Sequence, residues 1–167
     1  MSATVHNPGR FLAGIAGLLR NHAGQYLLLK RSADRDVGAG VWECVTGRVN
    51  QGEGFEEALH REVMEETGLP VRIDLLIGLS HFYRGKPIAD NELQGVVFGC
   101  SIDGDGTVRH GPEHTEYRWA SAQSALELLT APDPGTRWFR QTIERADLLY
   151  SMLPAAWAET TAAGVTL

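Results

Sequence analysis

The sequence predicts an α/β domain, on three observations. Two apolar runs, Phe11–Leu19 and Gln25–Lys30, flank a polar connection ending in Gly24, the pattern of a β-hairpin. A proline-free acidic stretch from Gly54 to Thr67 carries apolar residues at helical spacing. Three further apolar runs, Val71–Ile77, Leu79–Tyr83 and Leu93–Ile102, read as strands and precede two more helical segments. A chain of 167 residues suits one domain spanning 1–167. Its core is expected from about residue 11 to about residue 150, with flexible ends.

Met1–Gly9 reads as a mobile lead-in to the hairpin. Gly14 and Gly17 in the first strand mark either helix packing or the approach of a ligand to the backbone, and packing is the expectation. Lys30-Arg31 closes the second strand, and Ala33–Gly40 is a loop. Val41–Thr46 is a short strand that delivers the turn Gly47–Gly52 and the acidic helix. A kink is expected at Gly78, a loop over Arg84–Asn91, and a central position for Leu93–Ile102, which is apolar almost throughout. Asp103-Gly104-Asp105-Gly106 begins like a calcium loop. Val108 and His114 stand where that loop needs glycine and glutamate, so a turn is expected. Glu113–Trp119 leads into a last strand, followed by helices over Ala120–Leu129 and Thr136–Leu153, separated by Pro132-Asp133-Pro134-Gly135. Trp138, Ile143, Leu148 and Leu149 are expected to form the apolar side of the second helix, and Ala155–Leu167 to fray.

A net charge of −6 argues against nucleic-acid polymers and anionic membranes as partners. A phosphorylated substrate would then need a bridging metal and local arginines. The two cysteines, Cys44 and Cys100, lie in apolar strands and read as buried free thiols. Phe11–Leu19 has the length of a signal-peptide core, but Arg20 follows at once and a second strand continues the pattern. A cytoplasmic location is expected, and no segment is long enough to span a bilayer.

The chemistry concentrates in the acidic helix. Glu62 and Glu66 lie one helical turn apart, with Glu65 beside them, and Arg61 sits at i, i+4 from Glu65. Phe55, Leu59 and Val63 form an apolar stripe that pins the helix to a core. Crowded carboxylates repel unless a cation neutralises them. Carboxylate oxygens suit Mg²⁺ or Mn²⁺, and Mg²⁺ shares its shell with substrate phosphates.

The full spacing, G-x5-E-x7-R-E-U-x-E-E-x-G-U with U aliphatic, is filled by Gly47, Glu53, Arg61, Glu62, Val63, Glu65, Glu66, Gly68 and Leu69. This resembles the Nudix box. The resemblance covers roughly Phe11 to Glu144 and implies an α/β/α sandwich around a mixed sheet, with the box as loop–helix–loop. It also implies hydrolysis of a pyrophosphate linkage with Mg²⁺ as cofactor and Mn²⁺ as the alternative. By position in that family, Glu62 and Glu66 would be the main metal ligands. Glu65 and Glu53 would complete or bridge the shell, the Gly47 carbonyl would coordinate, and Arg61 would orient a glutamate.

The water-activating base is sought in the loop before the last strand, among Glu113, Glu116 and His114. Glu113 is the expected choice, and His114 is expected at the surface. Substrate contacts are expected from Arg31 and from Trp42, Phe82 and Tyr83, aromatic rings that can stack a base or pterin. Trp42-Glu43-Cys44-Val45-Thr46-Gly47 departs from the commoner W-x-x-P-G-G approach. With Glu113-His114-x-x-Tyr117-x-Trp119, it is similar to the branch acting on dihydroneopterin triphosphate and dATP. The substrate implied is a small nucleotide or pterin phosphate, cleaved to the monophosphate and pyrophosphate, and a homodimer is compatible with the pattern. The alternatives are another nucleoside diphosphate derivative, such as ADP-ribose or a dinucleoside polyphosphate, and a nucleotide-sensing module without turnover.

Overall fold

The computed structural model describes residues 9–34, 38–102, 104–109, 111–154 and 157. The expected mobile ends lie outside the described residues, except for Gly9 and Trp157, and so does Asp103 of the expected turn. Among the described residues the elements are β1 (Leu12–Arg20), β2 (Tyr26–Arg31), β3 (Trp42–Glu43), β4 (Val45–Arg48), α1 (Phe55–Thr67), β5 (Val71–Tyr83), β6 (Glu92–Ile102), β7 (His114–Ala120), α2 (Ala122–Leu128) and α3 (Pro134–Met152).

The hairpin turn between β1 and β2 is made by Asn21. Its side-chain oxygen accepts from the backbone N–H groups of Ala23 and Gln25, the local bonding that favours asparagine in turns. β1 is buried on both faces because it is the axis of a seven-stranded mixed sheet. It runs parallel to β6 along its whole length, Leu12 opposite Leu93 through Arg20 opposite Ser101. Its other edge is shared: β2 meets it only at Arg20–Tyr26, and β4 pairs antiparallel with Gly14–Gly17. β2 in turn carries β3 and β7, and β6 carries β5, so β6 is as central as its apolar content predicts.

Alternation along β1 and β2 sends side chains to two cores. Ile15, Leu19, Leu27 and Leu29 join Ala58, Leu59 and Val63 of α1 on one face. Ala16, Leu18, Tyr26 and Leu28 join Phe139, Ile143 and Ala146 of α3 on the other. The result is the expected α/β/α sandwich. Gly17 is a packing glycine, since a Cβ there would lie 2.7 Å from Leu59 Cδ1.

Four local expectations need correction. The strand expected over Val41–Thr46 is broken at Cys44, so that β3 pairs with β2 and β4 with β1. Gly47 and Arg48 belong to β4 rather than to a turn, because Ile15 and Gly14 hold them in the sheet. Phe55 begins α1 but is exposed, since the helix tilts onto the sheet only from Ala58 onward. Leu148 is 60 % exposed. The buried stripe of α3 runs instead through Phe139, Ile143 and Ala146, and at 100° per residue Leu148 falls outside it. β5 is continuous from Val71 to Tyr83, with register irregularities between Ile73 and Leu75 and between Leu76 and Gly78. The expected kink at Gly78 coincides with the second of these.

Both cysteines are buried free thiols, and burial pushes each thiol well above the usual range. Among the described residues, no helix is long and apolar enough to cross a membrane.

Candidate active site

Helix α1 starts at Gly54, whose N–H donates to Glu57 Oε2 at 2.9 Å, and ends at Gly68. Gly68 takes the left-handed conformation that glycine adopts without a Cβ penalty, and its N–H closes on the Met64 carbonyl. Glu62, Glu65 and Glu66 therefore occupy the C-terminal half of the helix, where the macrodipole is negative, and no basic residue lies in the last turn. Repulsion among the carboxylates and the dipole both favour a cation there.

The three glutamates have different surroundings. Glu65 is exposed, and its Oε2 lies 3.5 Å from Arg61 NH1. Glu62 is turned onto Arg61, with its Oε1 2.8 Å from NH1. It also packs against β4, where a Cβ on Gly47 would stand 2.1 Å from Glu62 Cδ. No residue but glycine fits at that position while Glu62 stays where it is. Glu66 is 9 % exposed, and its Oε2 is buried without a hydrogen-bond partner. Burial, then the nearby carboxylates of Glu43, Glu62 and Glu113, push Glu66 up to about 9, with Arg31 pulling the other way.

Arg61 is the hub of the outer part of the box. Its Nε and NH2 grip the two Glu53 oxygens at 2.7 and 3.0 Å, and NH2 also donates to the Arg48 carbonyl at 2.9 Å. Glu53 accepts the Asn50 N–H as well. Donation from Arg61, and then from Asn50, holds the Glu53 carboxyl down to about 2. These bonds clip the loop after β4 onto the middle of α1.

Two residues outside the box, half-buried Glu43 and buried His114, complete the cluster. Glu43, in β3, accepts from Arg31 NH1 at 2.9 Å through Oε1. The same oxygen lies 3.0 Å from Nε2 of His114, the first residue of β7. His114 is only 3 % exposed, so the expected surface histidine is in fact buried, held inward by this bond. Its Nε2 is also 4.0 Å from Glu66 Oε2. Glu113 lies next to it in sequence, its carbonyl accepting from Ser32 N–H at 2.8 Å, and its charge is felt by Glu66. Glu116 points elsewhere, to Lys30 at 3.4 Å and Arg118 at 2.9 Å.

The structure thus brings Glu62, Glu66, Glu113 and Arg31 together, and it adds Glu43 and His114. It does not bring Trp42 to them. Alternation in β3 puts Trp42 on the opposite face from Glu43, packed against the second core, with Lys30 Nζ 5.6 Å and Arg118 Cζ 5.4 Å from its ring. Phe82 and Tyr83 are exposed at the end of β5, separated from β2 by β1 and β6, about 14 Å at the usual strand spacing. Beside them is Arg84. Burial lowers the pKa of its guanidinium, and the charges of Arg48 and Arg31 lower it further, so these three cations are felt by one another. A separate open concavity of about 470 Å³ between the end of β7 and α2, lined by Gln25, Trp119 and Ser124 among others, holds none of the box carboxylates.

The sequence signals for the missed pair were weak. Glu43 follows a tryptophan in a strand only two residues long. His114 is a lone histidine among polar neighbours, and only the sheet register sets it opposite Arg31.

These residues fit a hard divalent cation. The donors are carboxylate oxygens, one of them buried and unpaired, at the negative end of a helix. Among the described residues, no three His, Cys, Asp or Glu side chains are already drawn together as a cage. Glu62 in particular is engaged by Arg61.

Residues 10–144 match the NUDIX domain family. A putative 8-oxo-dGTP diphosphatase of Bacillus subtilis is 34 % identical over 123 residues, covering 74 % of each chain. The nucleoside triphosphatase NudI of Escherichia coli O139:H28 is 31 % identical over 119 residues, covering 67 % of this chain and 83 % of that one. An octanoyltransferase of Myxococcus xanthus is 33 % identical over 127 residues, but the match spans only 33 % of its length. Among solved structures, a MutT protein from Methanosarcina mazei Go1 superposes with a TM-score of 0.68 at 30 % identity, covering 87 % of this chain and 99 % of that one. The chain therefore belongs to the Nudix family, and it is a hydrolase of pyrophosphate bonds.

Proposed function

We propose that this enzyme is a Mg²⁺-dependent pyrophosphohydrolase that converts a nucleoside or pterin triphosphate to the monophosphate and pyrophosphate. The observation that carries the reading is the buried, unpaired oxygen of Glu66 among Glu43, Glu62 and Glu113. A site built for packing would not leave a carboxylate in that state. The names of two relatives, a putative 8-oxo-dGTP diphosphatase and a nucleoside triphosphatase, direct it toward triphosphates. The Val45-Thr46-Gly47 approach and the Glu113-His114-x-x-Tyr117-x-Trp119 pattern support the same branch.

Glu62 and Glu66, with Glu65 and the Gly47 carbonyl, would hold the cation, with Mn²⁺ as the alternative to Mg²⁺. When bound, it supplies charge neutralisation for the phosphate oxygens. Arg61, already committed to Glu53 and Glu62, orients those carboxylates rather than the substrate. Arg31, Arg48 and Arg84 offer positive charge to the rest of the triphosphate. Phe82 and Tyr83 offer exposed ring faces at the end of β5, a stacking role that Trp42, packed against the second core, is less well placed to fill. Glu113 takes the proton of the attacking water as its oxygen bonds to phosphorus and the pyrophosphate leaves.

The test is a panel of dNTPs, NTPs, dihydroneopterin triphosphate, ADP-ribose and dinucleoside polyphosphates with the products resolved. Monophosphate and pyrophosphate from a triphosphate are expected. Release of orthophosphate alone, or activity confined to ADP-ribose, would overturn the reading.

A further inference from the structure

Glu43 and His114 lie outside the box, yet they are tied to each other and to Arg31 beside it. A single oxygen, Glu43 Oε1, lies 2.9 Å from Arg31 NH1 and 3.0 Å from His114 Nε2. A carboxylate only accepts, so the imidazole presents Nε2–H to it. These three residues stand at three strand ends. Arg31 and His114 are cross-strand partners of β2 and β7, and Glu43 is opposite Leu29 in β3. The β2–β7 register slips between Lys30 and Arg31, so backbone pairing is interrupted at the point where the side chains take over.

Glu113 is the residue next to this knot. Its carbonyl is tied to Ser32 N–H on one side, and the His114 ring is tied to Glu43 on the other. The same Nε2 lies 4.0 Å from the unpaired oxygen of Glu66, and the other ring nitrogen, Nδ1, is buried without a partner. A histidine used only as core filling would be replaceable by a hydrophobic residue of similar volume at little cost. A half-buried carboxylate, Glu43, set beside Glu66 adds repulsion to an acidic site, which packing alone does not require.

We propose that Glu43 and His114 are a positioning pair. Through the Oε1–Nε2 hydrogen bond they fix Glu113 and the Glu66 carboxylate relative to each other, and they touch neither substrate nor cation. This rests on the reading of Glu66 as a metal ligand and Glu113 as the base. Displacing a reacting group by about 1 Å can cost on the order of 10²-fold in rate. Losing the pair should therefore lower kcat while leaving ground-state binding almost intact.

The experiment compares His114→Leu, His114→Gln, Glu43→Ala and the double variant Glu43→Ala/His114→Leu with the wild type, with Glu66→Gln as control. Steady-state kcat and KM are measured beside Mn²⁺ affinity by calorimetry and folding by circular dichroism. His114→Leu and Glu43→Ala should each lose on the order of 10²-fold in kcat, with the Mn²⁺ Kd changed less than about threefold. KM should stay within about threefold in His114→Leu, while Glu43→Ala, which also releases Arg31, is read on kcat and the Mn²⁺ Kd. The double variant should be no worse than either single. His114→Gln, which restores an N–H donor, should recover about tenfold. If His114→Leu does not fold, Glu43→Ala and His114→Gln carry the same comparison. Wild-type kcat in a folded His114→Leu or Glu43→Ala, losses that multiply in the double variant, or no recovery in His114→Gln would each overturn the pair. If Glu66→Gln itself keeps Mn²⁺ binding and turnover, the fault lies in the metal-site reading; if it loses both while His114→Leu loses neither, only the positioning role fails.

Discussion

Two buried carboxylates, Asp74 in the sheet and Glu66 on the helix packed against it, are treated in opposite ways. Asp74 in β5 is 4 % exposed, and its oxygens accept from Ser101 Oγ at 2.5 Å, Tyr150 Oη at 2.9 Å and Arg72 Nε at 3.2 Å. Its backbone carbonyl also accepts the indole N–H of Trp157. Glu66 is almost as buried, but one of its oxygens has no donor and three of its charged neighbours are carboxylates. Asp74 ties α3 to β5 and β6 and asks for nothing more. Glu66 is left incomplete, which is sensible only if a cation completes it. Burial of a charge therefore says little about function by itself; what separates these two sites is the supply of donors.

The sharpest way to break this contrast is to neutralise Glu66. Glu66→Gln should lower turnover by on the order of 10³-fold, since charge neutralisation is the main catalytic effect asked of the site. Thermal unfolding without metal should show no loss of stability, because the amide has the shape of the carboxyl and meets no repulsion from Glu43, Glu62 and Glu113. Mg²⁺ at about 100 times its Kd should stabilise the wild type by about 2.7 kcal/mol, reversed by chelation and absent in the variant. A folded Glu66→Gln protein with near-normal Mg²⁺-dependent rates would end the distinction.

Asp74→Ala should do the reverse. Its half-buried donors, Ser101 and Tyr150, would lose their acceptor, at a cost of about 3 kcal/mol by chemical denaturation. The rate per folded molecule should stay at the wild-type value. A fall in kcat at full folding would show that Asp74 is coupled to the site.

Glu113, in the turn just before β7, and Glu116, within β7, meet different charges. Glu116 is paired with Lys30 and Arg118, and donation from Arg118, then Lys30, holds its carboxyl below the usual range. Glu113 adds its charge to the carboxylates around Glu66. Glu113→Gln should lose on the order of 10²-fold in turnover, about 2.7 kcal/mol, and Glu116→Gln almost nothing. The opposite order across the pH profile would move the base to Glu116.

The smallest effect belongs to a third satisfied carboxylate, Asp133, which caps α3 by accepting from Thr136 N–H at 2.9 Å and Thr136 Oγ1 at 2.6 Å. These bonds lower its pKa in the folded state, so its contribution is present above the unfolded pKa and fades as pH falls through the folded one. Asp133→Ala should cost about 1 kcal/mol at neutral pH. The difference from wild type should narrow below about pH 4.

Much of the architecture was legible in the linear chain because short-range periodicity carries it. The hairpin, the acidic helix, the central place of β6 and the order of elements follow from apolar spacing and from turn residues such as Asn21 and Gly68. The box residues were legible for the same reason: Arg61, Glu62, Glu65 and Glu66 are neighbours on one helix, where i, i+4 geometry is fixed by the backbone.

What the sequence could not reveal depends on contacts between strands distant in the chain. That Val41–Thr46 divides between two partners, and that Gly47 lies in the sheet with Glu62 packed against it, followed only once β1 offered its edge. Leu148 looked like core because its residue type is apolar, but the sheet receives only the stripe of α3 that contains Phe139 and Ile143. Glu43 and His114 are 71 positions apart, and no local pattern joins them. By itself the sequence determined the family's fold and the carboxylates of the box, because both are written at the spacing of one helix or one strand. Only the tertiary structure decided which carboxylate is left without donors and which histidine is buried beside it, because a missing partner is a property of everything that surrounds a side chain.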